Sequence, residues 1–169
     1  MKKENNLYEL LIEEMRDVYH AEQQLLKALP RMANAAQSAR LKEAFENHLE
    51  QTEQHVDRLE RAFEILDEPA KAKTCKAMQG LIEEGKEMMD EHKNSAMADA
   101  ALIAAAQKVE HYEIATYGTI CTWCDLLGLD EASDLLKETL DEEKTADESL
   151  TEIAESEINA EAVSEQAED

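Results

Sequence analysis

Glycine and proline are scarce in this chain, with four glycines and two prolines among 169 residues. Folds with many turns depend on both residue types, because glycine adopts positive φ and proline presets turn geometry. Their scarcity argues against a loop-rich or all-β fold. Long apolar runs are also missing, since no segment approaches the roughly 20 residues that cross a bilayer. The sequence therefore predicts no transmembrane segment.

Basic residues are few relative to acidic ones: 17 Lys and Arg stand against 40 Asp and Glu, for a net charge of −23. This charge repels nucleic acid and anionic membranes, so neither is expected as a partner. The three cysteines are an odd number with no framework spacing. Because the first six residues lead directly into an amphipathic pattern, we expect no signal peptide and predict a reduced, cytoplasmic protein.

Helix-forming residues dominate what is present, and apolar residues recur at helical spacing. This periodicity predicts helices over residues 5–36, 39–66, 74–91, 96–127 and 131–156. Asn5 or Asn6 is expected to cap the first helix, Pro30 to kink or break it, Gly128 to end the fourth, and Asp130 to cap the fifth. Residues 1–156 are predicted to form one domain, and residues 157–169 an acidic tail that frays or is disordered.

The order of these helices indicates the architecture. Two long helices are followed by a long connection with a short helix, and then by two more long helices. Short loops make each long pair an antiparallel hairpin. The sequence therefore predicts an all-α, ferritin-like four-helix bundle with one long crossover connection that carries a short extra helix.

Two glutamates lie within an apolar stripe of the fourth helix. The stripe follows alternating steps of three and four residues. Ionised carboxylates in such a stripe cost several kcal/mol each unless they are paired. A bound cation would remove both this cost and the repulsion between two acids one turn apart. The stripe consists of Ile103, Ala106, Glu110, Glu113, Tyr117, Ile120, Cys124 and Leu127.

Other helices supply matching ligand types. Glu22 lies in the stripe of the first helix, and Glu143 in that of the last, with Asp147 one turn further on. The second helix offers histidines instead, because its stripe contains His48 and, further on, either His55 or Val56. Carboxylates with imidazole suit iron or manganese better than zinc or copper.

Four segments resemble the YciE/YciF family of ferritin-like proteins, and the resemblance extends over about residues 5–155. They are 17–25 (DVYHAEQQL), 48–59 (HLEQTEQHVDRL), 109–118 (VEHYEIATYG) and 140–147 (LDEEKTAD). The family is associated with bacterial stress responses. In the wider superfamily, one helix of each half supplies a lone Glu and the other a Glu-x-x-His or Glu-x-x-Glu pair.

The resemblance implies that Glu22, Glu110, Glu113 and Glu143 are ligands. Two positions depart from the superfamily pattern: Thr52 stands where the second helix should carry a glutamate, and Ala146 follows Glu143 by three residues. A bridging carboxylate is therefore missing from the pattern. His48 is one candidate to complete the second-helix ligand set, and Glu53 is another if that helix is rotated.

These observations lead to two hypotheses. The first is a stress protein with a dinuclear iron or manganese site that oxidises Fe(II) with dioxygen or peroxide, or removes peroxide, with Tyr117 as a hydrogen-bond donor or redox-active phenol. The alternative is a non-enzymatic helical stress protein with an eroded or vacant site. A homodimer is expected in either case. The metal candidates are Glu22, His55, Glu110, Glu113, Glu143, Asp147, Glu53 and His48.

Overall fold

The computed structural model describes residues 6–165, and within that range every regular element is helical. No helix of the described residues is both long and apolar enough to cross a membrane. The five predicted helices are present close to their predicted bounds. They are α1 (Leu7–Ala35), α2 (Ala39–Ile65), α3 (Lys76–His92), α4 (Ala98–Leu127) and α5 (Asp130–Ile153).

Local capping explains where several helices begin and end. The side chain of Asn6 accepts a hydrogen bond from the Glu9 amide at 2.9 Å, whereas Asn5 lies outside the described residues. Ser38 caps α2 in the same way, and Gly128 ends α4 with a φ of 69°. The predicted cap at Asp130 was wrong. Asp130 is already the first residue of α5, and no side chain caps that end.

Pro30 does not break α1, which continues through it to Ala35. Of the predicted kink or break, the break is therefore wrong, and the kink stays a prediction. Proline removes one backbone hydrogen-bond donor. This costs a helix little stability near its C-terminal end, because few residues follow the missing hydrogen bond.

Residues 157–165 also differ from the predicted disordered segment. A π-helical turn (Ala154–Ile158) continues α5, and a short α6 (Asn159–Glu165) follows. Ile158 is buried in the core, and Glu157 accepts a hydrogen bond from the Ser38 hydroxyl at 2.9 Å. The described residues of the predicted tail are therefore helical, and its fraying stays a prediction. Residues 166–169 lie outside the described part of the chain.

The four long helices pack around a shared interior, with α1 against α2 and α4, and α5 against α2 and α4; α3 packs on α4 and α1. The interior contains two apolar clusters. One includes Leu25, Leu41 and Leu102, and the other includes Met15 and Phe63. Along each of the four long helices, the buried Glu and His residues lie between members of one cluster and members of the other. The buried Asp99, at the start of α4, lies outside this region. The polar site therefore lies midway along the bundle, enclosed by apolar side chains at both ends.

Candidate metal centre

The six principal candidates lie together in the bundle interior, although they come from four different helices. Two overlapping groups have ligand atoms that all lie within 4.8 Å of one another. None of the six residues is more than 5% exposed. The first group is His48, Glu110, Glu113 and Glu143, and the second is Glu22, His55 and Glu143.

Glu143 belongs to both groups and lies between the two histidines. Its Oε2 is 3.5 Å from His48 Nε2, and its Oε1 is 3.0 Å from His55 Nδ1. His48 Nε2 is also 3.3 Å from Glu110 Oε1, and His55 Nδ1 is 3.5 Å from Glu22 Oε1. One carboxylate is thus placed where it can bridge two ions, each with its own imidazole.

Many polar atoms of this cluster have no hydrogen-bond partner. Such groups are rare in folded proteins, because each unsatisfied buried polar atom costs about 1–3 kcal/mol. Their convergence on one interior point fits a metal pair, which would satisfy all of them at once. The atoms are Glu22 Oε2, His48 Nε2, His55 Nδ1, Glu110 Oε2, both carboxylate oxygens of Glu113 and both of Glu143.

The two carboxyls of α4 are held neutral by their surroundings. Burial is the largest effect and raises the pKa of both Glu110 and Glu113 well above the ordinary value; the nearby charges of Glu143 and Glu22 raise it further. A cation at the site would reverse this effect, because it favours the ionised form. Metal binding is therefore expected to release protons from these two residues.

Glu143 and His55 behave in the opposite way. Burial raises the pKa of Glu143, but the neighbouring His55 and His48 outweigh it, so the net shift is downward. Burial lowers the pKa of His55, but Glu143 and Glu22 outweigh it and raise that pKa to about 10. Without metal, the centre therefore contains an ion pair between Glu143 and His55, beside two neutral acids.

Glu142 holds the outer nitrogen of His55. Its Oε2 lies 2.8 Å from His55 Nε2, and its two oxygens accept hydrogen bonds from Arg58 Nη1 and Nη2 at 2.6 and 2.9 Å. Sequence reasoning missed this pair. Arg58 follows His55 by three residues and therefore lies one turn along the same face of α2. This spacing could have identified Arg58 as a neighbour of His55.

Tyr117 is fully buried, and its hydroxyl donates a hydrogen bond to Glu22 Oε1 at 2.6 Å. Burial raises the pKa of this phenol well above its ordinary value, and the charges of Glu22 and Glu113 add to the effect. Tyr117 is therefore a hydrogen-bond donor that holds one oxygen of Glu22 and leaves the other, Oε2, available as a ligand atom.

Three residues considered in the sequence lie outside both groups. Glu53 is exposed, because it follows the buried Thr52 and is rotated away from the interior. The Thr52 hydroxyl donates to the His48 carbonyl at 2.9 Å. Asp147 is 19% exposed and lies 3.3 Å from His111 Nδ1. Of the two candidates for completing the α2 ligand set, His48 and Glu53, the structure brings only His48 to the cluster.

Known proteins similar to this chain were identified by sequence and by structure. A family model described as "Domain of unknown function (DUF892)" matches residues 6–163. Protein YciF of Escherichia coli (strain K12) is 44% identical over 155 residues, which cover 91% of this chain and 93% of the relative. The crystal structure of the E. coli stress protein YciF has a TM-score of 0.88 at 44% identity, covering 92% of this chain and 98% of that one.

Two further solved structures are similar. YcfI from Rhodopseudomonas palustris has a TM-score of 0.86 at 39% identity and covers 89% of this chain and 97% of its own. A protein from Xanthomonas campestris has a TM-score of 0.72 at 24% identity, over 95% of this chain and 98% of its own, and supports the fold alone.

Proposed function

Because this chain belongs to the DUF892 family and is similar to a bacterial stress protein, as its four sequence segments predicted, we propose that it is a ferritin-like stress protein with a dinuclear metal centre. In this proposal α1, α2, α4 and α5 form the four-helix bundle, and α3 lies in the crossover connection. The observation that carries it is the convergence of six buried residues whose ligand atoms either lack a hydrogen bond or have contacts only within the cluster, such as Glu143 Oε1 with His55 Nδ1 at 3.0 Å.

The donor set indicates which metals the centre would hold. Four carboxylates and two imidazoles are available, a combination that suits iron or manganese. His48, Glu110 and Glu113 would hold one ion, Glu22 and His55 the other, and Glu143 would bridge them. When bound, a metal pair would supply redox and Lewis-acid chemistry toward dioxygen or peroxide.

The protein residues would have separate roles in that chemistry. Tyr117 would orient Glu22 and donate a proton or an electron from the buried phenol. Glu110 and Glu113 would accept protons when metal leaves. The apolar clusters at both ends would exclude water. Together these roles support oxidation of Fe(II) or removal of peroxide in a stressed cell. We expect the protein to work in the cytoplasm as a homodimer.

Metal stoichiometry tests the proposal. Metal-free protein given Fe(II) without oxygen should bind about two ions per chain after gel filtration. The Glu110→Ala, Glu113→Ala double variant should lose most of this binding, measured by elemental analysis. The matched control is Glu50→Ala, Glu53→Ala, an exposed pair on α2 with the same spacing, which should bind as the parent does. A parent that binds no iron, or a double variant that binds as much as the parent, contradicts the centre.

The alternative is a non-enzymatic stress protein whose cluster is neutralised by protons. Thr52 and Ala146, which stand where the superfamily pattern expects ligands, favour it. So does the internal pairing of Glu143 with His55, which satisfies part of the charge without metal. The same stoichiometry decides between the two, because a proton-neutralised core would bind no iron.

Glu142 provides a second prediction. The hydrogen bond from Arg58 is the main cause of a lowered pKa at Glu142, so this carboxylate is ionised where it holds His55. Glu142→Gln should weaken metal binding by about 10–100-fold, because an anionic partner orients an imidazole ligand and makes it more basic. Competition with a chelator measures the affinity. Glu138→Gln is the control, since Glu138 also contacts Arg58, at 3.4 Å, but is largely exposed. Equal affinities in the two variants would rule out this role.

A further inference from the structure

A cavity of about 160 Å³ lies between α2 and α5 and reaches the site. Both His48 and Glu110 line it, although these side chains are only 5% and 3% exposed. His48 Nδ1 lies 3.3 Å from Gln51 Oε1, whereas Nε2 has no hydrogen-bond partner. Glu110 Oε2 has none either. The cavity therefore leads from the α2–α5 groove to His48 and Glu110, whose ligand atoms Nε2 and Oε2 are buried behind its wall.

The walls of this cavity suit a partly hydrated cation. Oxygen-bearing, uncharged side chains line it, and such oxygens can replace the water ligands of a hard divalent ion. A volume of about 160 Å³ leaves room for a cation that keeps some of its water ligands. The net charge of −23 attracts cations to the surface around it. The oxygen-bearing residues are Asn47, Gln51, Thr145 and Ser149.

The width of the passage depends on small residues. Ala146 and Ala44 line it from opposite helices, and Ala146 lies one turn beyond Glu143, on the same side of α5. The other end of the site is closed differently. There, the two hydrogen bonds between Arg58 and Glu142 cover the outer edge of His55, and the Arg58 side chain is only 12% exposed.

We propose that this cavity is the port through which a divalent transition-metal ion enters the centre, with His48 as its first protein ligand. The inference rests on the proposed function. It assigns Ala146 a role of its own: the short side chain at the position where the superfamily pattern expects a ligand keeps the port open. The ion held by His48, Glu110 and Glu113 would load first, and the Glu22–His55 position would fill past Glu143.

Plugging the port tests this proposal through binding kinetics. Co(II) alone is mixed with the metal-free, full-length protein, and its visible absorption is followed by stopped flow. Ala146→Leu and Ala44→Leu should each slow association by about tenfold or more. Release to a chelator should slow by the same factor, because a blocked route raises the barrier without changing either end state. The number of ions bound at equilibrium should not change.

The control is Ala28→Leu, which fills a different cavity, between α1, α3 and α4, and should load at the parent rate. Two plugs on different helices guard against one variant that folds poorly, which circular dichroism would show. If both plugged variants load at the parent rate, or bind fewer ions at equilibrium, the port is overturned. A parent that binds no Co(II) refutes the metal centre itself, which is a distinguishable outcome.

Discussion

Replacing Glu143 by glutamine is expected to remove both metal ions and to destabilise the metal-free protein. Glu143 is the one residue common to both ligand groups, so each ion loses a ligand in the same variant. Substitutions of residues that contact a metal ligand typically weaken metal binding by about 10–100-fold. The loss of affinity in Glu143→Gln should be larger than this. Elemental analysis should therefore find neither ion retained. Glu22→Gln changes only one of the two groups, so this variant should retain the ion of the other group better than Glu143→Gln does.

The destabilisation in the same variant has a separate cause. Glu143 is ionised in the metal-free protein and lies 3.0 Å from His55 Nδ1. Removing one partner of a buried ion pair typically costs about 3–5 kcal/mol. We expect about 1–3 kcal/mol here, because His55 keeps Glu22 and Glu142 as neighbours. Urea unfolding of metal-free parent and variant at pH 7 measures this. Equal stability would show that Glu143 and His55 are not paired.

Helical spacing predicted which acidic side chains are buried. Glu110 and Glu113 were placed inside because their neighbours at three- and four-residue steps are apolar, and the structure buries them to 3% and 0% exposure. The same reasoning placed Glu22, Glu143 and His55 correctly in the interior. A helix stripe determines which side of a helix packs inward, and this is a local property of the sequence.

What depends on contacts between helices could not be predicted in this way. Arg58 and Glu142 are 84 residues apart, and no local pattern pairs them. Whether His48, Thr52 or Glu53 reaches the cluster depends on the rotation of α2 against α5, which a stripe fixes only approximately. Ile158 was overlooked because the predicted helix ended at residue 156, although Leu150, Ala154 and Ile158 follow one another at four-residue steps in the same cluster.

Glu113→Gln should have the opposite effect on stability from Glu143→Gln, although the two carboxyls belong to the same buried cluster. Both oxygens of Glu113 are buried without hydrogen-bond partners, and burial followed by the charges of Glu143 and Glu22 raises its pKa. An amide has nearly the same shape and carries no proton that must be taken up on folding. The variant should therefore be more stable than the parent when no metal is present.

The pH dependence of this difference makes the prediction specific. A carboxyl whose pKa is raised by folding contributes its full stability below the unfolded value of about 4.5, and loses it as the pH rises toward the folded value. Parent and variant should thus be similar at about pH 4, and the variant should gain about 1.4 kcal/mol per pH unit above 4.5 while Glu113 stays neutral.

Urea unfolding of the metal-free proteins at both pH values measures the effect, with Glu53→Gln as the control for loss of an exposed charge on a neighbouring helix. Metal should reverse the order, because a bound ion stabilises the fold in proportion to its affinity and the amide is the weaker ligand. With metal, the parent should therefore become the more stable protein. A Glu113→Gln variant that is less stable than the parent at pH 7 without metal would show that the charge at this position is already compensated.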